Sequence, residues 1–424
     1  MGLYAERQSS LINPTALPTI QAGSERACAL TIQSVNLLQH YLSETIALFS
    51  MSPLTSNPFA TILLPLAYLD DLLMHGLLAF SGAHLSFKEP NNIEIARATT
   101  MHYGRLLKGL RLEIAALEED DLAKKERILR ILMIACHYEV LSGDTRGAMF
   151  RHLHASRSLI EHLLAPESRY QNGSPCMNGA LGFTVELYTF LSLTNSVTPY
   201  GAVKDRKLPG DDPIISVAAA GLLSTSGSFL AGRDGIYSLV TEVSLLASRR
   251  LDEQLSGIAY PSIMIKKIHD DLLNRITAWK MPSSYTESDK EMLEHTHLAG
   301  EAFREGLYIY LATAVAGTTV VEPAVILAIQ NHIDTLFGYG PQLLCSPCIA
   351  AILWPFIIAG TCIVKQDQQE TFIDVIRSKR FSMRHLFVLS DMMRLLWADA
   401  DPRMYGPYGL HLVMEKHKLN PGFA

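Results

Sequence analysis

Charge is scarce in this 424-residue chain: Asp, Glu, Lys and Arg together make up 18%, below the roughly one quarter usual in soluble domains. The 36 basic residues are outnumbered by 42 acidic ones, which leaves a net charge of −6, and they are scattered along the chain. A nucleic-acid-binding face concentrates positive charge, so direct binding to DNA or RNA is not expected. Period-two runs of strand length are almost absent, which argues against a sheet. No G-x-S-x-G elbow, P-loop or strand-borne G-x-G-x-x-G occurs, and that removes the commonest hydrolase, nucleotide and dinucleotide readings. Six cysteines, Cys28, Cys136, Cys176, Cys345, Cys348 and Cys362, sit mostly among apolar neighbours and read as reduced core thiols. Met1 to Ile20 holds no apolar core of signal-peptide length, and Glu6 stands where N-myristoylation wants Ser or Thr. The expected location is cytoplasmic.

Metal motifs fail in the same way. Cys345-Ser-Pro-Cys348 is a lone C-x-x-C without a second pair. Asp70-Asp71 and Asp270-Asp271 lack the third carboxylate that a magnesium–diphosphate site needs. His295 and His297 are two apart, and on a helix such residues do not share a face. No metal and no cofactor is expected.

What is present is apolar: 48% of residues are hydrophobic. The longest apolar run, Leu343 to Val364, approaches the length of a membrane span, but Pro347, Pro355 and Ser346 interrupt it. It is predicted to be a buried, proline-kinked helix, and no membrane span is expected. Helical spacing recurs almost throughout, for example over Glu25–Ser50, Ile62–Ala83, Glu94–Glu118, Lys124–Leu141, Phe150–Leu164 and Gly179–Thr194. On Glu94–Glu118 the apolar side is read as Tyr103, Leu107, Leu110, Ile114 and Leu117. The expected fold is all-α, a large array of antiparallel helical hairpins. Residues 1–24 read as an extended lead, 25–400 as a single helical domain with a long loop near 198–213, and 401–424 as a loosely attached tail.

Polar side chains embedded in apolar helices are the remaining chemistry. They lie in MHYGRLLKGL, ILMIACHYEVLSGD and FRHLHASRSLI. Such residues usually satisfy a neighbouring backbone group. The functional alternative has them lining an apolar cavity, where His moves a proton and Arg or Tyr holds an oxyanion. On that alternative Arg151, His152 and His154 are the catalytic candidates, and Tyr103, His137 and Trp354 contact substrate.

The succession HYLSETIALFS, NPFATILLPLAYLDDLLMHGLLAFSGAHLS, HYGRLLKGLR, ACHYEVLSGD and FRHLHASRSLI resembles the regulatory domain of fungal-specific transcription factors. LGFTVELYTFLSLTNSV, HTHLAGEAFREGLYIYLATAV, LWPFIIAG and a closing RLLWAD extend the likeness over about Ser34 to Asp399. Two departures stand out. Met1–Ser24 has none of the six cysteines of the family's zinc-cluster DNA-binding module, and Met149-Phe150 stands where the family tends to carry Trp. The resemblance implies one of two roles. One is a cofactor-independent pericyclase of fungal secondary metabolism, like the hetero-Diels–Alderases of tropolone sesquiterpenoid pathways. It would dehydrate a precursor to a quinone methide and couple it to a terpene, acting on apolar natural-product substrates, with a homodimer allowed. The other is a transcriptional regulator or co-regulator lacking its own DNA-binding module, which would place the chain in the nucleus.

Overall fold

The first helix, α1 (Ile32–His40), starts where Thr31 turns its hydroxyl back to accept the Ser34 N–H at 3.2 Å. A computed structural model describes residues 31–50, 56–164, 179–199, 234–281 and 290–423. The expected 1–24 lead lies outside these residues, as does the 198–213 loop apart from residues 198 and 199.

Beyond α1 the backbone tightens through turns at Tyr41–Thr45 and Ile46–Leu48. The apolar stretch expected as one helix over Ile62–Ala83 is divided. Short turns cover Phe59–Ala67, and α2 (Asp71–Lys88) starts afresh. Asp70 causes the break: its carboxylate accepts the N–H groups of Leu72 and Leu73 at 2.9 and 3.2 Å and pairs with Arg127 at 2.6 Å. The paired aspartates therefore start a helix. Next come α3 (Ile93–Ala115), α4 (Leu122–Ser142), α5 (Ala148–Leu164) and α6 (Gly179–Thr194). Successive members of α2 to α5 pack on one another, and α2 also packs on α4. Gly143 ends α4 in the left-handed region, at φ 71°, where a Cβ would be strained.

The buried side of α3 differs from the expected one. Ile95, Ala98, Thr99, His102, Leu106 and Leu110 face the core, whereas Leu107 and Ile114 are exposed. Both stripes fit a 3.6-residue period. Burial of His102 decides between them, because its ring finds Ser34 Oγ at 3.0 Å and His75 Nδ1 at 2.9 Å.

In the second half, α9 (Lys290–Ala316) is the hub on which α7 (Asp234–Leu255), α8 (Ile263–Ala278), α10 (Pro323–Leu344) and α11 (Leu353–Gly360) pack. Gly306 permits the closest approach, since a Cβ there would lie 2.7 Å from Cβ of Pro355. The apolar run Leu343–Val364 is not one kinked helix. It holds the end of α10, a turn capped by the Ser346 hydroxyl, a tight 3-10 segment over Pro347–Ile352, and α11. Helices α12 (Gln366–Ile376), α13 (Arg384–Ala398) and α14 (Gly406–His417) close the chain.

The tail also departs from the expected reading. It was expected to be loose because of Gly406, Pro407, Gly409 and Pro421, yet Leu410, Val413, Met414 and Phe423 are buried. Pro407 occupies the first turn of α14, where proline suits a helix. The Phe423 carbonyl accepts from Thr194 Oγ1 at 2.9 Å and Asn195 Nδ2 at 2.7 Å, and its N–H donates to Asn195 Oδ1 at 2.7 Å. Among the described residues the architecture is all-α, with a single isolated β-bridge between Arg146 and Asn420. Among them, too, no helix is long and apolar enough to cross a membrane.

Candidate functional site

Two parts of the chain that are far apart in sequence enclose an apolar cavity. Leu48 and Phe49 come from the turn after α1; Leu344 to Phe356 come from the apolar run, and Val375 to Leu386 from the end of α12 through the start of α13. The only lining side chain with ring nitrogens is His385. The internal space is about 70 Å³. For comparison, a dry cavity of about 150 Å³ takes benzene.

One wall is a strap, Phe381-Ser382-Met383, between α12 and α13. Ser382 sits at φ 45°, in the left-handed region that costs a non-glycine residue about 1 kcal/mol or more. Two contacts hold the strap. Arg380 donates to the Leu344 carbonyl, and His84 Nε2 donates to the Phe381 carbonyl at 3.2 Å. That bond fixes the proton on Nε2 and leaves Nδ1 of His84 as the acceptor for His40 Nε2 at 3.1 Å and Thr45 Oγ1 at 3.3 Å. Burial, with His40 adding to it, lowers the His84 pKa to about 4, so the ring is neutral near pH 7.

The sequence-predicted site residues fall into three places. Tyr103 on α3 and His152 on α5 do come together, with their O and Nε2 atoms 3.3 Å apart. What joins them is Glu139 of α4, which accepts the Tyr103 hydroxyl proton and lies 3.7 Å from His152. Tyr138 stacks on Tyr103 at 3.6 Å between ring centres. Burial, reinforced by the Glu139 charge, pushes the Tyr103 pKa well above the usual phenol range. This cluster does not line the cavity. Arg151 and His154 are exposed on α5.

His137 and Trp354 are core residues. His137 Nδ1 donates to the Met133 carbonyl at 2.8 Å, and Nε2 is buried without a hydrogen-bond partner. The rings of Phe49, Phe59 and Phe80 stand edge-on around it at 5.4 to 5.7 Å. Phe49 is thus shared between the cavity wall and this cage. Trp354 turns away from the cavity: it stacks on Phe303 at 4.7 Å, and its Nε1–H donates to the Ser196 carbonyl at 3.0 Å. Its neighbours Leu353 and Phe356 line the cavity instead.

Sequence reasoning missed Glu139 as the joining group, and it missed the strap. The only signal for Glu139 was its place in the HYE triplet, and no spacing within one helix reveals a partner on another. Among the described residues no group of three or more potential metal ligands converges.

The family model described as fungal specific transcription factor domain matches residues 36–408. No curated protein and no solved structure matches the chain.

Proposed function

Since the chain belongs to the fungal specific transcription factor domain family, we propose that it is a transcriptional regulator or co-regulator acting in the nucleus or cytoplasm, and that a small apolar effector sets its state. The observation that carries this reading is the cavity walled by Leu48 and Phe49 on one side and by Leu344 to Leu386 on the other. A ligand bound there touches both halves of the chain, so its binding energy biases how they pack. At about 70 Å³ the resting cavity admits only a slender apolar group. A larger effector must displace the Phe381–Met383 strap, whose strained Ser382 gains by moving. The effector class is therefore an apolar molecule with a narrow end. Fusing the chain to a heterologous DNA-binding module and measuring a reporter tests the reading. Output that changes with the chain, and changes again when Leu353→Trp fills the cavity, is expected. A reporter indifferent to the fused chain would overturn it.

A pericyclase of fungal secondary metabolism is the second reading, and one observation favours it: Tyr103, Glu139 and His152 form a half-buried acid–base cluster. Its substrates are two terpenoid-sized partners, whereas sites for drug-sized ligands span about 300 Å³ or more. The polar groups it needs do not line the cavity. Incubating the protein with a quinone-methide precursor and a terpene, and comparing rate and enantiomeric excess with the uncatalysed reaction, separates the two readings.

A further inference from the structure

A second concavity lies in the first half of the chain, where the turn before α2, the end of α3 and the start of α4 meet. This groove holds about 540 Å³, within the roughly 300–1,000 Å³ of small-molecule sites, and it shares no lining residue with the apolar cavity. Leu66, Leu69 and Leu72 give it apolar walls. Most of its charges are already engaged with one another. Arg127 pairs with Asp70 at 2.6 Å and with Glu113 at 3.0 Å, and Lys124 lies 3.5 Å from Glu113.

Three lining groups keep capacity for a ligand. Arg130 of α4 is 8% exposed; one terminal nitrogen donates to Glu126 at 2.6 Å, but its Nε is buried without a hydrogen-bond partner. A buried N–H gains by meeting an acceptor. Asp71, in the first turn of α2, makes no ion pair among the described residues. His75 stands four residues further along α2, on the same face as Asp71.

The His75 ring is backed by a chain of hydrogen bonds. Its Nδ1 lies 2.9 Å from His102 Nδ1, His102 Nε2 lies 3.0 Å from Ser34 Oγ, and Ser34 Oγ lies 3.0 Å from Thr31 Oγ1. Burial lowers the pKa of both rings, that of His102 to about 4, so both are neutral near pH 7. Two arrangements of the protons satisfy this chain. If His102 Nδ1 donates to His75, His102 Nε2 accepts the Ser34 hydroxyl proton and His75 carries its own proton on Nε2. If His75 Nδ1 donates instead, His102 Nε2 donates to Ser34, Ser34 donates to Thr31, and His75 Nε2 is an acceptor. Nε2 of His75 has no hydrogen-bond partner among the described residues, so it can serve a ligand acceptor or a ligand donor.

We propose that this groove binds an uncharged small molecule in which a carbonyl and an N–H or O–H sit on neighbouring atoms of an apolar frame, an amide being the simplest example. The carbonyl accepts from Arg130, the N–H or O–H donates to Asp71, and His75 adapts to either. An anion would meet the uncompensated carboxylate of Asp71, and a cation would meet the donor of Arg130. The leucines cover the apolar frame.

Saturation-transfer NMR titrations of the full chain with benzamide, benzoate and benzylamine test this, because the three share a ring and differ in head-group charge. Benzamide is expected to bind with a Kd of about 1 mM, and the charged analogues at least about tenfold more weakly. His75→Leu and Arg130→Gln should each weaken benzamide at least about tenfold with an unchanged circular dichroism spectrum. Should Arg130→Gln fail to fold, His75→Leu decides. Leu353→Trp, which alters only the apolar cavity, should leave benzamide binding unchanged, so this proposal and the effector reading fail separately. No benzamide binding up to about 20 mM, a charged analogue that binds as tightly, binding that survives His75→Leu, or binding lost in Leu353→Trp overturns the proposal.

Discussion

Acid should unfold this protein through its histidines before its carboxylates are titrated, and His137 is where this is most cleanly read. Burial lowers the pKa values of His84, His102 and His137 to about 4 from 6.5. Because the folded value lies below the unfolded one, the unfolded chain takes up these protons first. The stability is complete above about pH 6.5 and is lost as the pH falls toward 4. At pH 5 each histidine withdraws about 2 kcal/mol, and the three together about 6 kcal/mol, a large share of the 5–15 kcal/mol available to a folded domain. Near pH 5.5 each adds close to one proton on unfolding, so stability should fall steeply with falling pH, by about 3–4 kcal/mol per pH unit. His137→Leu removes one of the three. Its Nε2 has no hydrogen-bond partner and three phenylalanines surround it, so leucine suits the site. Urea unfolding across pH 7.5 to 5 should give a slope near pH 5.5 that is smaller by about 1 kcal/mol per pH unit in the variant, with little loss of stability at pH 7.5. An unchanged slope would refute the assignment of His137 as a neutral, proton-excluding core residue.

Val375→Ile places one more methylene in the cavity. It should stabilise by up to about 0.8 kcal/mol, raising the thermal midpoint by about 1–2 °C, and a lowered midpoint would mean that the space is not there. Asn195→Ala removes the side chain that clasps the Phe423 backbone from both sides. A loss of about 1–3 kcal/mol in urea unfolding, with proteolytic cleavage near residue 420 becoming faster, is expected; no change in either would return the tail to its loosely attached reading.

Much of the fold is visible in the chain itself because helices announce their own period. The segment expected over Gly179–Thr194 is α6 to the residue, and Ser262 caps α8 as a serine before an apolar run should. What periodicity could not show was set by contacts between distant residues. The break at Asp70 depends on Arg127, and the choice of buried stripe on α3 depends on His102 meeting Ser34 and His75. The tail is fixed by Asn195, more than two hundred residues earlier. The same limit applies to the site. Tyr103 and His152 were recognised as polar groups in apolar helices, and they do meet, but through Glu139. The cavity walls lie at Phe49 and from Leu344 to Leu386, a pairing that no local pattern encodes.

The most direct test of an effector cavity spanning both halves is hydrogen exchange of the full chain with and without decanoate, a probe with a slender apolar end. Decanoate should slow exchange together in the Ile46–Phe49 turn and in the Phe381–Leu386 segment, and Leu353→Trp should abolish both effects. Exchange that decanoate leaves unchanged in both segments, or slows in only one of them, would contradict the account.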